Sequence, residues 1–420
     1  MSVRLLFLCH AHPDLQAGGT EIFARDLFRT LRRDFGAEGL FVAGTFAAQR
    51  PRSPGTPFQT IGGAPDEVLL WTGGFDPFFQ SQIDLHGVMP ELATLLRELR
   101  PEVVHIHHLM TLGVEVVGLI RRVLPDVRMV MTLHDYYALC PRDGQMVTVT
   151  GTLCQTPSVD ACRLCFPDRG LTDIRLRQLH IDAALGPIDH FISPSRFLRD
   201  RFVANGMDPG RISVLANGIP DAAPAPHRDA PDGRRDRFGF FGHINRFKGA
   251  TVALAASARL SRNRVAHSLA LHGSAAHQTA DFANIFAAAL AAAPDARHVG
   301  PYARADLARR IAGVDWVVVP SVWWENAPLV IQEAFQHRRP VICSDIGGMA
   351  EAVRDGANGL HAPVDDAGGL AETMRRAIET PGLWQRLADG IVPPVTIAAA
   401  AAAHHDFYRG LAAAGARRAA

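Results

Sequence analysis

Short apolar runs bounded by turn residues alternate along this chain with longer segments whose apolar positions recur every three or four residues. The first kind reads as buried strands and the second as amphipathic helices. In the first half, strands are expected at Val3–Cys9, Gly39–Ala43, Val103–His107, Arg128–Thr132, His190–Ile192 and Ile212–Leu215, with helices at Glu21–Arg33 and Pro90–Leu99. Regular alternation of this kind predicts an α/β fold with parallel sheets covered by helices. Residues 221–236 are rich in Pro, Ala and charge and carry no apolar period, which predicts a linker. A second strand–helix series opens at Phe238-Gly239-Phe240-Phe241-Gly242. Ala398–Ala403 favours helix and leads into His404-His405-Asp406-Phe407-Tyr408 and a last helix.

A chain of 420 residues is too long for one ordinary core, so two domains are expected. With 48% hydrophobic and 20% charged residues it has the composition of a soluble globular enzyme. Its formal net charge of +1 argues against bulk binding of nucleic acid. No apolar stretch reaches the roughly 18–20 residues that span a bilayer. The start, Met1 to His10, is too short for a signal peptide and reads as a first strand. Both features predict a cytoplasmic protein, and both are compatible with peripheral contact at the inner membrane face.

The most informative stretch is Trp323-Trp324-Glu325-Asn326-Ala327-Pro328-Leu329-Val330-Ile331-Gln332-Glu333-Ala334-Phe335. Strand-like Trp316–Pro320 precedes it and strand-like Pro340–Ser344 follows. Pro328 suits a first helical turn, with Asn326 as its N-cap. Eight residues of helix rise about 12 Å, so Glu325 and Glu333 could reach distant parts of one elongated ligand. Between them, the free amides of a helix start around Asn326, Ala327, Pro328 and Leu329 suit an anion. Carboxylates for hydroxyls and amides for phosphate together suit a nucleotide-sugar.

Glu-x7-Glu, followed by Arg339-Pro340-Val341-Ile342-Cys343-Ser344-Asp345-Ile346-Gly347-Gly348 and Asn358-Gly359-Leu360, resembles family 4 (group 1) glycosyltransferases. The resemblance implies the GT-B fold, two Rossmann-like doubly wound parallel-sheet domains facing an interdomain cleft. It implies an acceptor-side domain over 1–220 with a Cys-rich insertion at 140–165. A linker at 221–236, a nucleotide-sugar-binding domain over 237–385 and a helical return to the first domain over 386–420 follow.

The resemblance also implies roles for single residues. Gly18 and Gly19, in a strand-to-helix turn, would lie by the donor diphosphate and the acceptor. Lys248 matches the family's Lys-Gly cation, whereas His243 stands where the family usually has arginine. A neutral imidazole offers one donor where a guanidinium offers a charged fork, so Arg246 is the candidate to restore the charge. His134, after a strand, would face the donor sugar. Glu325 would contact the sugar hydroxyls and Glu333 the ribose hydroxyls. Asn217-Gly218 resembles the pair at the family's domain junction. His105 and His107 share one face of a strand end where the family carries similar histidines without metal.

No Asp-x-Asp pair lies in a suitable loop, so no catalytic metal is expected. Four of the six cysteines form Cys140-x13-Cys154-x7-Cys162-x2-Cys165. In a cytoplasmic chain such a set suits a structural zinc, or an iron–sulfur cluster on the same ligands, against the alternative of free cysteines. Cys9 and Cys343 read as core residues.

The resulting expectation is a retaining glycosyltransferase, hexosyltransferase-type. It would move a sugar from a nucleoside-diphosphate sugar to a glycan or lipid-linked acceptor in cell-surface polysaccharide synthesis. Two other classes compete. One is a GT-B nucleotide-sugar epimerase, and the other a non-catalytic member that binds nucleotide-sugar or glycan. The replacement of arginine by His243 favours the last.

Overall fold

The computed structural model describes residues 3–230, 232–276 and 278–419, with side chains as far as Leu411. The chain divides into two compact units. One comprises residues 1–220 and 396–420, the other 221–395.

Among the described residues, the first unit holds ten strands: β1 (Arg4–Cys9), β2 (Glu38–Thr45), β3 (Phe58–Thr60), β4 (Glu67–Trp71), β5 (Phe75–Asp76), β6 (Ser81–Gln82), β7 (Val103–Ile106), β8 (Arg128–Thr132), β9 (His190–Ser193) and β10 (Ile212–Val214). Eight of them form one sheet in the order β10-β9-β8-β7-β1-β2-β4-β3, and β5 pairs with β6 apart from it. Every pairing in the large sheet is parallel except β3 with β4. Leu5 to Cys9 are all buried, as a strand covered on both faces requires. Phe7, Phe23, Leu27, Phe28 and Phe41 fill the core on one side.

The second unit holds β11 (Arg237–Phe241), β12 (Ser268–His272), β13 (Ala296–Gly300), β14 (Trp316–Val319), β15 (Val341–Ser344) and β16 (Gly359–Ala362). Their order is β13-β12-β11-β14-β15-β16, all parallel. Trp316 to Val319 are fully buried, and Phe238, Phe240, Leu254 and Trp316 anchor the core.

In both sheets the strand order reverses beside the first strand of the series: β1 lies between β2 and β7, and β11 between β12 and β14. Open α/β sheets bind ligands outside the carboxyl ends of the strands at such a reversal.

Three boundaries differ from expectation. Residues 221–236 are fastened to the second unit. Buried Asp315 accepts from Arg228 at 2.8 Å and Arg235 at 3.2 Å, and buried Arg339 donates to the carbonyls of Ala225 and Pro226. The return to the first unit begins at Thr396, not at 386. The helix Leu383–Asp389 keeps Leu383, Trp384 and Leu387 in the second core, while Ile397, Ala400, Ala401 and Tyr408 of the last helix join the first. The helix expected from Pro90 starts at Leu85. Asp84 caps it by accepting from the Gly87 amide at 2.8 Å, so Pro90 lies inside.

Among the described residues, no helix is long and apolar enough to cross a membrane.

Candidate functional site

The loops after β11 and β14 leave from either side of the second unit's reversal point. In the first, the Asn245 Oδ1 accepts from the amides of Phe247 and Lys248, both at 3.0 Å, and folds the chain tightly. Gly249 follows at φ +70°, and a Cβ there would lie 1.9 Å from the Pro320 carbonyl oxygen. Only glycine lets this loop press against the one after β14.

That contact brings together Lys248 and Glu325. The Lys248 Nζ donates to the Glu325 Oε1 at 2.6 Å. Ser321 Oγ at 2.8 Å and Trp323 Nε1 at 2.9 Å donate to the same oxygen. The ammonium also lies 5.6 Å from the centroid of the Trp323 ring. Glu325 is only 5% exposed, so these donors stand where water would otherwise bond. From behind, the Gly348 amide donates to the Glu325 carbonyl at 2.7 Å, and a Cβ on Gly348 would fall 1.7 Å from the Asn326 carbonyl oxygen. The expectation from sequence contained Lys248, Glu325 and Gly348. It missed Ser321, Trp323 and Asn245, whose only signal was a hydroxyl, an indole and an amide a few residues from the charged pair.

The helix after Glu325 runs from Leu329 to Gln336, and its N-cap is Pro328, not Asn326. Pro328 adopts an extended ψ of 117°, which delays the first helical turn. The N-cap supplies no side-chain hydrogen bond to the helix start, and the Ile331 amide turns back to the Pro328 carbonyl at 3.0 Å. The late start also means that helical rise does not set the whole span from Glu325: only about 6 Å of it separates Leu329 from Glu333. Glu333 is partly buried. Burial pushes its carboxyl up, and Arg304 offsets this in part. Burial, with the Glu333 charge added, likewise pushes up the Tyr302 hydroxyl. His243 and Arg246 are both exposed on the loop after β11.

In the first unit, Gly18 precedes the helix Gly19–Phe35 as its N-cap, in extended backbone. The Glu21 carboxylate lies directly beneath: a Cβ on Gly18 would meet its Oε2 at 2.5 Å. Glu21 pairs with His10 Nε2 at 2.9 Å. Burial disfavours the His10 cation, but hydrogen bonds to Cys9 and Glu21 outweigh it and raise His10 to about 9.

His134 follows β8. Its Nε2 lies 3.0 Å from the Nδ1 of His107, and the two rings stack at 5.3 Å. Burial, with the His108 charge added, drives His134 down to about 3, so its ring is neutral at ordinary pH. His108 in turn pairs with Asp135 at 2.7 Å. His105 is bonded to Tyr408 of the last helix at 2.6 Å and to Thr132 at 2.7 Å. Gly218 packs against Thr396 and Ile397, where the last helix enters the first unit.

Among the described residues, the four insertion cysteines are partly buried and form no disulfide. Among the described residues, no group of three or more His, Cys, Asp and Glu side chains is disposed to hold a metal ion. Asp366 caps the helix Ala367–Glu379. A cavity of 590 Å³ lined by Arg4, Arg97, Arg100 and Arg128 opens at the amino ends of β1, β7 and β8, away from all these groups.

Residues 17–223 match the model of Glycosyltransferase Family 4, and residues 235–380 that of Glycosyl transferases group 1. Glycogen synthase of Mycobacterium tuberculosis is 31% identical over 207 residues, 48% of either chain. D-inositol 3-phosphate glycosyltransferase of Nocardioides is 37% identical over 97 residues, 23% of this chain and 21% of that one. The chain thus spans about half the length, or less, of these curated relatives. The crystal structure of Anabaena HepE in complex with UDP and glucose superposes with a TM-score of 0.66 at 16% identity, covering 97% of this chain and all of that one. That likeness shows the GT-B fold. With a family model on each of its two units, the chain belongs to the group 1, family 4 glycosyltransferases.

Proposed function

We propose that this protein is a retaining glycosyltransferase that moves a sugar from a nucleoside-diphosphate sugar to a glycan or lipid-linked acceptor, in cell-surface polysaccharide synthesis. One observation carries the reading: Lys248 and Glu325 meet at 2.6 Å beside an uncapped helix start, at the carboxyl ends of the strands flanking the reversal point.

In this reading the diphosphate lies against the amides near Leu329 and the Lys248 ammonium. As the bond from the sugar C1 to phosphate oxygen breaks, negative charge grows on the diphosphate, and preplaced donors lower the barrier. Arg246 and His243 are exposed on the same loop and supply further donors. The acceptor oxygen bonds to C1 on the face the phosphate leaves, and its proton passes to the departing phosphate oxygen. Glu325, with one oxygen taken by three donors, orients sugar hydroxyls and does not attack C1. Glu333 accepts from the ribose hydroxyls. Donor handling falls to the second unit and acceptor handling to the first. Contact of His134 with the sugar and of the Gly18-Gly19 loop with phosphate belongs to the same proposal. The UDP bound by Anabaena HepE supports this donor class.

Incubation with labelled nucleotide-sugars and a panel of glycan and lipid-linked acceptors tests it. A new glycoside with the donor's anomeric configuration is expected. Inverted product would overturn retention. Epimerised sugar without acceptor, or binding without product, would overturn the transferase reading.

A further inference from the structure

The cavity at the amino ends of β1, β7 and β8 has no part in the transfer reaction. Its volume of 590 Å³ is that of a small-molecule site. It is lined by the two turns that lead into β7 and β8, together with Arg4 at the start of β1. Pro101 and Val127 are buried and Val123 and Leu124 half-buried, which gives it an apolar floor. Arg4, Arg97 and Arg100 are exposed, and Arg128 is half-buried. These four arginines stand in the lining against two carboxylates, Glu102 and Asp126. A cleft with an excess of one sign of charge concentrates ions of the other.

The local fold uses only part of this charge. Helices Leu85–Leu99 and Glu115–Val123 end here, and helix carboxyl ends favour nearby cations. Arg121 serves the second end from outside the cavity, donating to the carbonyls of Pro125 at 2.7 Å and Val127 at 3.0 Å. It also pairs at 2.9 Å with an Asp189 oxygen that accepts from the Met129 amide at 2.8 Å. Arg128 is left with the other Asp189 oxygen, at 3.8 Å. The Nε atoms of Arg4 and Arg100 donate to the carbonyls of Arg100 and Arg97, both at 3.2 Å. Among the described residues, the Nη groups of Arg4, Arg97 and Arg100 bond to no protein atom. Glu102 accepts from the Arg4 amide at 2.9 Å, and neither it nor Asp126 pairs with a lining arginine among the described residues. Arg100 is the telling residue. It closes its helix in left-handed backbone, at φ +44° and ψ +60°, where glycine usually stands. A side chain there carries a backbone cost, and this one adds a guanidinium to a cavity that already has three.

We propose that this cavity binds the phosphate group of an organic ligand, with guanidinium Nη groups on the phosphate oxygens and the ligand's apolar part on the floor. Planar guanidinium donors match phosphate oxygens two at a time. The donors are those that carbonyl bonding leaves over on Arg4, Arg97 and Arg100, with Arg128 beside them. The site is separate from the one assigned to transfer. Arg128 starts β8 and His134 follows its carboxyl end, about 20 Å farther along extended chain. The proposal is independent of the transferase reading.

Hydrogen–deuterium exchange of the full chain at low ionic strength tests it. The ligands are phenyl phosphate, inorganic phosphate, and phosphatidylcholine vesicles carrying phosphatidic acid. Phenyl phosphate should protect residues 97–102 and 123–128, and added salt should weaken that protection. Inorganic phosphate should bind several-fold more weakly, because it leaves the apolar floor uncovered. Equal binding of the two would overturn the organic part of the assignment. Protection by the vesicles but not by phenyl phosphate would support the site with a lipid headgroup as the source of the phosphate. Arg97→Gln should weaken phenyl phosphate binding by about tenfold, the loss of one charge-assisted hydrogen bond. Arg100→Gly should do the same and leave Tm unchanged or higher, because glycine suits the left-handed backbone. Protection confined to residues 242–249 would place the anion at the transfer site and overturn the proposal. So would a lack of protection at 97–102 and 123–128 with every ligand, or protection that survives when both substitutions are combined.

Discussion

The two units place their chemistry at equivalent positions, past the carboxyl ends of central strands, and give it opposite electrostatic character. After β11 and β14 stands a charged pair, Lys248 with Glu325, fixed by Ser321 and Trp323. After β7 and β8 stand His107 and His134, stacked and buried. Sheet topology decides where functional groups gather. What the neighbouring side chains donate decides how those groups are held. Glu325 has three donors on one oxygen. His134 has a second imidazole and an aromatic neighbour, Phe23, and burial prevails.

The charged pair offers the largest effect. Lys248→Ala should lower kcat by about 10²–10³-fold, because its charge matters most as the phosphate departs. Steady-state transfer rates decide this, and wild-type turnover would mean the pair is merely structural.

The histidine cluster should be visible in acid. His105 and His107 are pushed well below the ordinary 6.5 by burial, and His134 and His404 to about 3 and 4. A depressed folded value means that the unfolded chain binds protons first as pH falls. Stability from these groups is therefore complete above about pH 6.5 and is lost below it, with a slope of up to about 1.4 kcal/mol per pH unit per group. His10, raised to about 9, acts in the opposite sense, losing its contribution as pH rises from 6.5 through 9. Hydrogen exchange between pH 7 and 4.5 should show the first unit loosening before the second. Simultaneous loosening would break the contrast.

Glu333 sharpens the comparison within the second unit. Its carboxyl is raised mainly by burial, so the folded state holds that proton more tightly. Stability from it is present at low pH and falls as pH rises past the ordinary carboxylate range. Glu333→Gln should raise Tm slightly at pH 7 and weaken donor binding by about tenfold, the value of one hydrogen bond of ~1.4 kcal/mol. Unchanged donor affinity would remove Glu333 from the site.

The smallest effect concerns His107. Its Nε2 is buried without a hydrogen-bond partner among the described residues. Such an atom costs about 1–3 kcal/mol, so His107→Leu should leave Tm unchanged or higher. If its Nδ1 orients the His134 ring, turnover should still fall by about tenfold, and His107→Asn should restore part of it. A stability loss with normal turnover would make His107 a plain core residue.

Much of this was legible in the sequence because periodicity reports burial. Trp316–Val319 and Val341–Ser344 read as strands because nearly every side chain in them is apolar, and both are fully buried. Pro90 misled because a favourable first-turn residue also fits inside a helix whose true cap, Asp84, lies six residues upstream. Short β3, β5 and β6 carry too few apolar positions to show a period. In the site, Glu325 and Lys248 stood out as charges at family positions. The donors that fix them did not, because Ser321, Trp323 and Asn245 converge only once Gly249 lets the two loops touch. His107 was visible as a residue, but its pairing with His134 depends on the alignment of β7 with β8.

The central claim is that the loops after β11 and β14 hold the donor diphosphate. Hydrogen–deuterium exchange with saturating uridine, guanosine or adenosine diphosphate tests it most directly, because the readout is position by position. The account expects at least one of them to protect residues 242–249 and 321–330 together, and Lys248→Ala to abolish that protection. Binding that protects neither loop, or that survives intact in Lys248→Ala, would contradict it.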